Sequence, residues 1–183
     1  MNFNEHLDLV GHHAFLSPSS PYWLDYDDEK LDKKFLNFSA IQRGNDLHAL
    51  ASELIRLRVN LPKSRKTLNL YVNDAIGYRM KTEQPLKYSE NCFGTADAIC
   101  FRQNVLRIHD LKTGETRASM RQLEIYAALF CLEYRVNPFD IKIELRIYQS
   151  NEVIVHEPPP EDIKRRMERI IAADKRVEIL KAG

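Results

Sequence analysis

Two strand-like stretches, Cys92 to Arg102 and Val105 to Lys112, are separated only by Gln103-Asn104. So short a connection leaves no room for a crossover, and the pair is predicted to fold as an antiparallel hairpin. A further strand, Lys81 to Ser89, precedes it. This run of strands limits the chain to folds built around a sheet.

Helical spacing surrounds the run. Leu47, Leu50, Ala51, Leu54 and Leu57 predict a helix from Ser39 to about Val59. Leu68, Tyr71, Val72, Ala75 and Ile76 stand at i, i+3, i+4, i+7 and i+8, which makes a short amphipathic helix. Upstream, Ser17-Pro18-Ser19-Ser20 reads as a helix start, with Ser17 as cap and proline at the first helical position. Downstream, a helix is predicted from Ser119 to about Tyr134, then a strand from Phe139 to Gln149. In that strand Ile141, Ile143, Leu145 and Ile147 alternate with polar residues, so one face is wet. Glu152 to His156 reads as a last strand. Pro158-Pro159-Pro160 separates it from a closing helix, Glu161 to Leu180. The order predicts an α/β fold, a central sheet of about five strands with helices packed on it. With no repeat and no long linker, residues 1–183 are expected to form a single domain.

The 183 residues are 44% hydrophobic and 29% charged, which excludes disordered and collagen-like classes. No run approaches the ~18 apolar residues of a membrane span. Met1 to Asp8 lacks the basic and apolar regions of a signal peptide. Cys92, Cys100 and Cys131 form no Cys-x-x-Cys pair and are too few for a four-cysteine iron–sulfur cluster. Reduced thiols within a cell are expected. The net charge of +1 hides an asymmetry, because residues 1–32 carry seven acids against Lys30 alone. The densest basic stretch, Arg56 to Lys66, has five positive charges and no negative ones, a pattern suited either to phosphates or to a solvated helix end.

The chemistry concentrates in Gly94-Thr95-Ala96-Asp97 and Asp110-Leu111-Lys112-Thr113-Gly114. Residues i and i+2 of a strand share a face, so Asp110 and Lys112 are expected to project together. If Asp97 faces them across the hairpin, the three converge. Two carboxylates suit Mg²⁺ or Mn²⁺, hard cations that prefer oxygen ligands. Such a cation acidifies bound water and neutralises phosphate charge, and a neighbouring lysine can orient or deprotonate that water. Asp97 and Asp110 lie in apolar strand settings, where a carboxylate is costly unless paired or metal-bound. An isolated Asp-x-Lys triplet is also compatible with a plain surface ion pair at a strand end.

Taken in order, His48 in Gly44-Asn45-Asp46-Leu47-His48, Gly94 to Asp97, Asp110 to Gly114, and Gln122-Leu123-Glu124-Ile125-Tyr126 resemble the PD-(D/E)XK nuclease superfamily. Within it they resemble the RecB-like exonuclease branch and its single-domain phage members. The opening Leu16-Ser17-Pro18-Ser19-Ser20 with Trp23 is similar to the start of those phage members. The resemblance covers roughly residues 15–150. It implies a restriction-endonuclease-like α/β/α core with a mixed sheet. It also implies Asp97, Asp110, His48 and the Leu111 carbonyl as metal ligands and Lys112 as the catalytic lysine. Gln122 and Tyr126, at i and i+4, share a helix face beside the site. They are expected to hold the active site together or to contact the DNA backbone. Glu83, in the strand before the hairpin, is a further candidate near the site outside this set, Glu53 lies on the wrong side of the helix to join His48, and His12 and His13 read as surface residues. No Walker A sequence is present, so no helicase motor is expected in this chain.

The expectation is a Mg²⁺- or Mn²⁺-dependent deoxyribonuclease, an exonuclease in phage or prophage DNA processing, acting in bacterial cytoplasm. Its partners would be single- or double-stranded DNA, a further copy of itself, or a recombination protein. Arg56 to Lys66 and Lys164, Arg165, Arg166 and Arg169 are expected to guide the backbone. The alternative is a non-cleaving DNA-binding or protein-interaction module on the same fold. RNA cleavage is a third reading.

Overall fold

A computed structural model describes residues 14–114, 116 and 118–183. Met1 to Asp8 and the His12-His13 pair lie outside the described residues. The chain forms two compact units, one reaching Asn45 and the other Asp46–Gly183.

In the first unit the structure differs from the helix expected at Ser17. Ser17 and Ser20 close a turn, and a short 3-10 helix follows at Pro21–Asp25. Trp23 donates its indole N–H to the Ser17 carbonyl at 3.1 Å. Helix α1 then runs Asp28–Arg56, starting well before Ser39. Leu31, Phe35 and Phe38 stand there at i, i+4 and i+7, a short apolar stripe that a start at Ser39 leaves out. The start is set instead by Asp27, whose carboxylate accepts the Lys30 backbone N–H at 2.8 Å, with Asp28 and Glu29 favouring the positive end of the helix dipole. Phe15 packs its ring on Phe35 and Phe38, with centroids 5.3 and 5.5 Å away.

The second unit holds the end of α1, α2 (Thr67–Gly77), β1 (Lys81–Ser89), β2 (Cys92–Arg102), β3 (Val105–Leu111), α3 (Arg121–Glu133), β4 (Lys142–Gln149), β5 (Glu152–His156) and α4 (Pro160–Ala182). The α/β class and the five-stranded mixed sheet are as expected. The strands lie in sequence order, with β3 and β4 parallel and all other pairs antiparallel. The parallel pair requires a crossover, and α3 supplies it. Strand β4 begins three residues later than Phe139, because Pro138–Asp140 forms a 3-10 turn capped by Asn137.

Two apolar cores sandwich the sheet. Ala51, Ile55, Tyr71, Val72 and Ala75 pack with Ala98, Leu111 and Tyr148 on one face. Leu123, Ala127, Phe130 and Ile163 pack with Ile99, Leu106, Ile108 and Leu145 on the other. Ala96 and Ala98 belong to different cores although they are two residues apart on one strand. Strict alternation therefore breaks at Asp97. Opposite it, Glu83 takes the left-handed conformation, with φ of 49°.

Both tight hairpins turn on positive φ at two successive residues, Gln103-Asn104 and Ser150-Asn151, as type I′ geometry requires. Helices α1, α2 and α3 each end with an arginine in the left-handed conformation, namely Arg58, Arg79 and Arg135. The bonds Val59 N–H to Leu54, Met80 N–H to Ala75 and Val136 N–H to Cys131 close Schellman motifs there. Glycine is the usual residue in that position. A left-handed side chain costs about 1–2 kcal/mol, and a cation near a helix C-terminus returns about 0.3–1 kcal/mol.

A polar network lies within the sheet. Tyr148 donates its hydroxyl proton to Asp74 at 2.7 Å, so His109 Nδ1, 3.2 Å away, must be the donor to Tyr148 oxygen. His109 Nε2 is left as a buried acceptor without a partner. Arg146 binds Asp74 at 3.0 Å and the Tyr78 hydroxyl at 2.8 Å, which ties α2 to β4. No helix of the described residues is long and apolar enough to cross a membrane.

Candidate metal centre and catalytic lysine

The β2–β3 register sets the acids. Ala98 pairs with His109 and Ile99 with Ile108, so the next step along the ladder puts Asp97 opposite Asp110. Asp97 Oδ2 accepts the Leu111 backbone N–H at 2.9 Å, so its carboxylate reaches across to the neighbouring strand. His48, on the last turns of α1, brings Nδ1 to 3.3 Å from the same oxygen. Glu83 completes the group. His48, Glu83 and Asp97 each offer a ligand atom within 4.8 Å of the others. Hydroxyls of Ser52 and Thr82 bond at 2.7 Å, which fastens α1 to β1 next to Glu83.

Asp110 does not join that close group. It is 3% exposed and is held by Lys112, whose Nζ donates to Oδ1 at 3.0 Å. The ammonium is equally near Oδ2, yet that oxygen accepts no properly directed hydrogen bond and is buried. A buried, unpartnered carboxylate oxygen is costly. The Asp97 carboxylate is a charged neighbour of Asp110, and the His48, Glu83 and Asp97 group offers oxygen and nitrogen donors that suit a divalent cation. The shared face expected for Asp110 and Lys112 is present.

Lys112 also donates to Gln122 Oε1 at 3.1 Å, and Gln122 Nε2 faces the Tyr126 hydroxyl at 3.4 Å. Both residues stand on α3, which places this helix beside the lysine. Gly94 makes room for the tyrosine, because a Cβ at that position would stand 3.0 Å from Tyr126 Cε1. The loop after Lys112 is clamped from below by Gln149. Its amide donates to the Gly114 and Thr116 carbonyls and accepts the Ala118 N–H at 3.0 Å.

Burial raises the pKa of both aspartates above the usual carboxylate range. For Asp97 the Leu111 N–H, His48 and Lys112 oppose that shift. For Asp110 the neighbouring Asp97 adds to it and Lys112 opposes it. The phenol of Tyr71, on α2, is held well above its usual range by burial and then by the charges of Asp97 and Glu83. Glu83 and Tyr71 are the two site residues that stand outside the set read from the sequence. Glu83 sits opposite Asp97 in a continuous register, a signal visible only once the pairing of β1 with β2 is known.

Of the remaining residues weighed from the sequence, Glu53 is engaged with Arg56 at 2.6 and 2.9 Å. Arg166 forks onto Glu124 at 2.8 and 3.0 Å, and Arg165 pairs with Asp162. The Arg56 and Arg165 pairs are exposed and within one helix, whereas the Arg166 pair joins α4 to α3. The three cysteines are free, with Cys100 and Cys131 buried.

No curated protein matches the chain. Among solved structures it is similar to a chain described as "Crystal structure of SSO0001", with 15% identity, a TM-score of 0.36, and coverage of 83% of this chain and 68% of that one. A family described as "Protein of unknown function (DUF2800)" matches residues 77–174. The matched region takes in Glu83, Asp97, Asp110, Lys112, Gln122 and Tyr126 and leaves out His48. It spans more than half of the chain, so the protein belongs to the DUF2800 family.

Proposed function

We propose that this protein is a divalent-metal-dependent deoxyribonuclease of the PD-(D/E)XK type, similar to the RecB-like branch. The observation that carries this reading is the meeting of Asp97 with His48 and Glu83 beside the buried Asp110–Lys112 pair, whose Asp110 Oδ2 accepts no directed hydrogen bond. Asp97, Asp110, His48 and Glu83 would hold Mg²⁺ or Mn²⁺. When bound, the cation supplies phosphate charge neutralisation and a lowered pKa for water.

The chain's own groups divide the remaining work. Lys112, 31% exposed at its side chain, keeps one face to solvent while Asp110 and Gln122 fix its Nζ. It would orient the attacking water and stabilise the developing phosphorane charge. The Leu111 N–H holds Asp97 in one orientation before substrate arrives. Glu83 is exposed and marks the open side of the group. Free thiols at Cys92, Cys100 and Cys131 fit a reducing compartment such as bacterial cytoplasm. A role in phage or prophage DNA processing follows from the resemblance.

The test is cleavage of linear and closed-circular DNA, single- and double-stranded, with Mg²⁺, Mn²⁺ or EDTA. Metal-dependent cutting is expected, and sparing of circles identifies an exonuclease. Folded protein that binds DNA but cuts no substrate with either metal contradicts the reading and favours the non-cleaving module.

A further inference from the structure

Four cations without an ion-pair partner among the described residues gather away from the metal-ligand group. Arg58, Arg79, Lys81 and Arg102 line a cavity of about 460 Å³ together with Phe101 and Tyr134. A second cavity of about 670 Å³ shares Arg79, Phe101 and Arg102 and adds Arg107. No carboxylate lines either one. The aromatic wall is a ladder of three rings. Phe101 and Phe130 have centroids 5.2 Å apart, and Phe130 and Tyr134 are 4.9 Å apart. Its outer members stay open to solvent, Phe101 at 40% and Tyr134 at 52%.

We infer that this groove is a binding site for single-stranded nucleic acid, with phosphates on Arg58, Arg79 and Arg102 and unpaired bases on Phe101 and Tyr134. Each half of the feature points to that ligand. Unpaired cations without neighbouring acids attract a polyanion. Exposed ring faces beside them suit bases that are free to stack, which a duplex does not offer. Arg58 and Arg79 occupy left-handed positions where glycine is the unstrained residue, and both reach the same cavity. Phe101 lies four residues along β2 from Asp97, about 13 Å at strand rise. Lys81 and Gln84, on either side of Glu83, line the cavity too. A strand lying in the groove therefore runs toward the metal-ligand group. The inference deepens the proposed function and rests on it for the identity of the polymer as substrate.

The test is fluorescence anisotropy of a labelled oligothymidylate and of a matched duplex, in EDTA so that no cutting occurs, across a salt series. Arg58→Gly and Arg79→Gly relieve the backbone, so neither variant should melt below wild type. Their combination is expected to lower the salt slope by about 1.4, from about 0.7 for each single-strand phosphate contact. Tyr134→Leu is expected to weaken single-strand binding about tenfold at every salt concentration and to leave the slope unchanged. Unchanged affinity and slope in the arginine variants overturn the site. Equal loss for duplex and single strand in Tyr134→Leu overturns the single-strand assignment. Loss of cleavage is read separately. A wild type that binds through this groove but never cuts contradicts the nuclease reading and leaves the binding site standing.

Discussion

Asp97 Oδ2 accepts the backbone N–H of Leu111 at 2.9 Å, which fastens the carboxylate of β2 to the strand that carries Asp110 and Lys112. The consequence is a preorganised pair of acids. Their charges repel, burial disfavours them, and both pKa values stand above the usual carboxylate range. Without a cation both groups are disfavoured as charges.

That discomfort gives a signed pH prediction. A carboxyl whose folded pKa is raised contributes stability below its unfolded value, about 3.9, and loses it as pH rises through the folded value. The metal-free protein should therefore lose stability from these two groups on passing from pH 4 to neutral. Mn²⁺ should restore it at neutral pH and have a smaller effect at pH 4, where protons compete for the same oxygens. Thermal melts with and without Mn²⁺ at both pH values check this. A Mn²⁺ shift that is equal at both contradicts it.

His109 works in the opposite direction. Burial, then the charges of Arg146 and Arg107, lower its pKa to about 3. The unfolded chain protonates this imidazole near 6.5 and the folded chain does not, so stability falls as pH drops from about 6.5 toward 3. The slope from this group approaches about 1.4 kcal/mol per pH unit. Denaturant titrations between pH 7 and 5 should show the loss, and His109→Phe should flatten it.

Gly94 and Tyr126 should be coupled. A methyl at position 94 presses on the tyrosine ring at 3.0 Å and must displace it from Gln122, one bond removed from Lys112. Gly94→Ala is expected to lower kcat several-fold with a small change in melting temperature. Combining it with Tyr126→Phe should cost less than the sum of the two. Full additivity in steady-state kinetics rules out the relay.

Gln149 should matter through the loop it clamps. Gln149→Leu strips the Ala118 N–H and two carbonyls of their partner. A loss of about 1–3 kcal/mol in unfolding free energy is expected, together with faster proteolysis between Lys112 and Arg121. An unchanged cleavage pattern contradicts the clamp.

The sheet was legible because its signals are local. Gln103-Asn104 marks one hairpin, and Ile141 to Ile147 alternate along β4. The early start of α1 was missed although Leu31, Phe35 and Phe38 stand at helical spacing, because the stripe is short and lies among charged residues, with Asp27 as the cap. The acid–acid–lysine set could be read from two-residue periodicity and order. Glu83 could not, since its place opposite Asp97 follows from the register of β1 on β2 and from a left-handed φ that no glycine announces. The proposed basic groove was only partly legible for a related reason. Charge counting pointed to Arg56 to Lys66, which contains Arg58 of the groove, and to α4, where Arg165 and Arg166 pair with Asp162 and Glu124. Its four cations come from two helix ends, the start of β1 and a hairpin tip, which only the fold brings together.

The most direct test of the central claim is single-turnover cleavage by Lys112→Ala, measured beside wild type with Mn²⁺ binding followed on the same samples. The account predicts that the variant still binds the cation and loses about 10²–10⁴-fold in rate. A variant that cuts as fast as wild type, or a wild type that binds Mn²⁺ and hydrolyses no DNA, contradicts it.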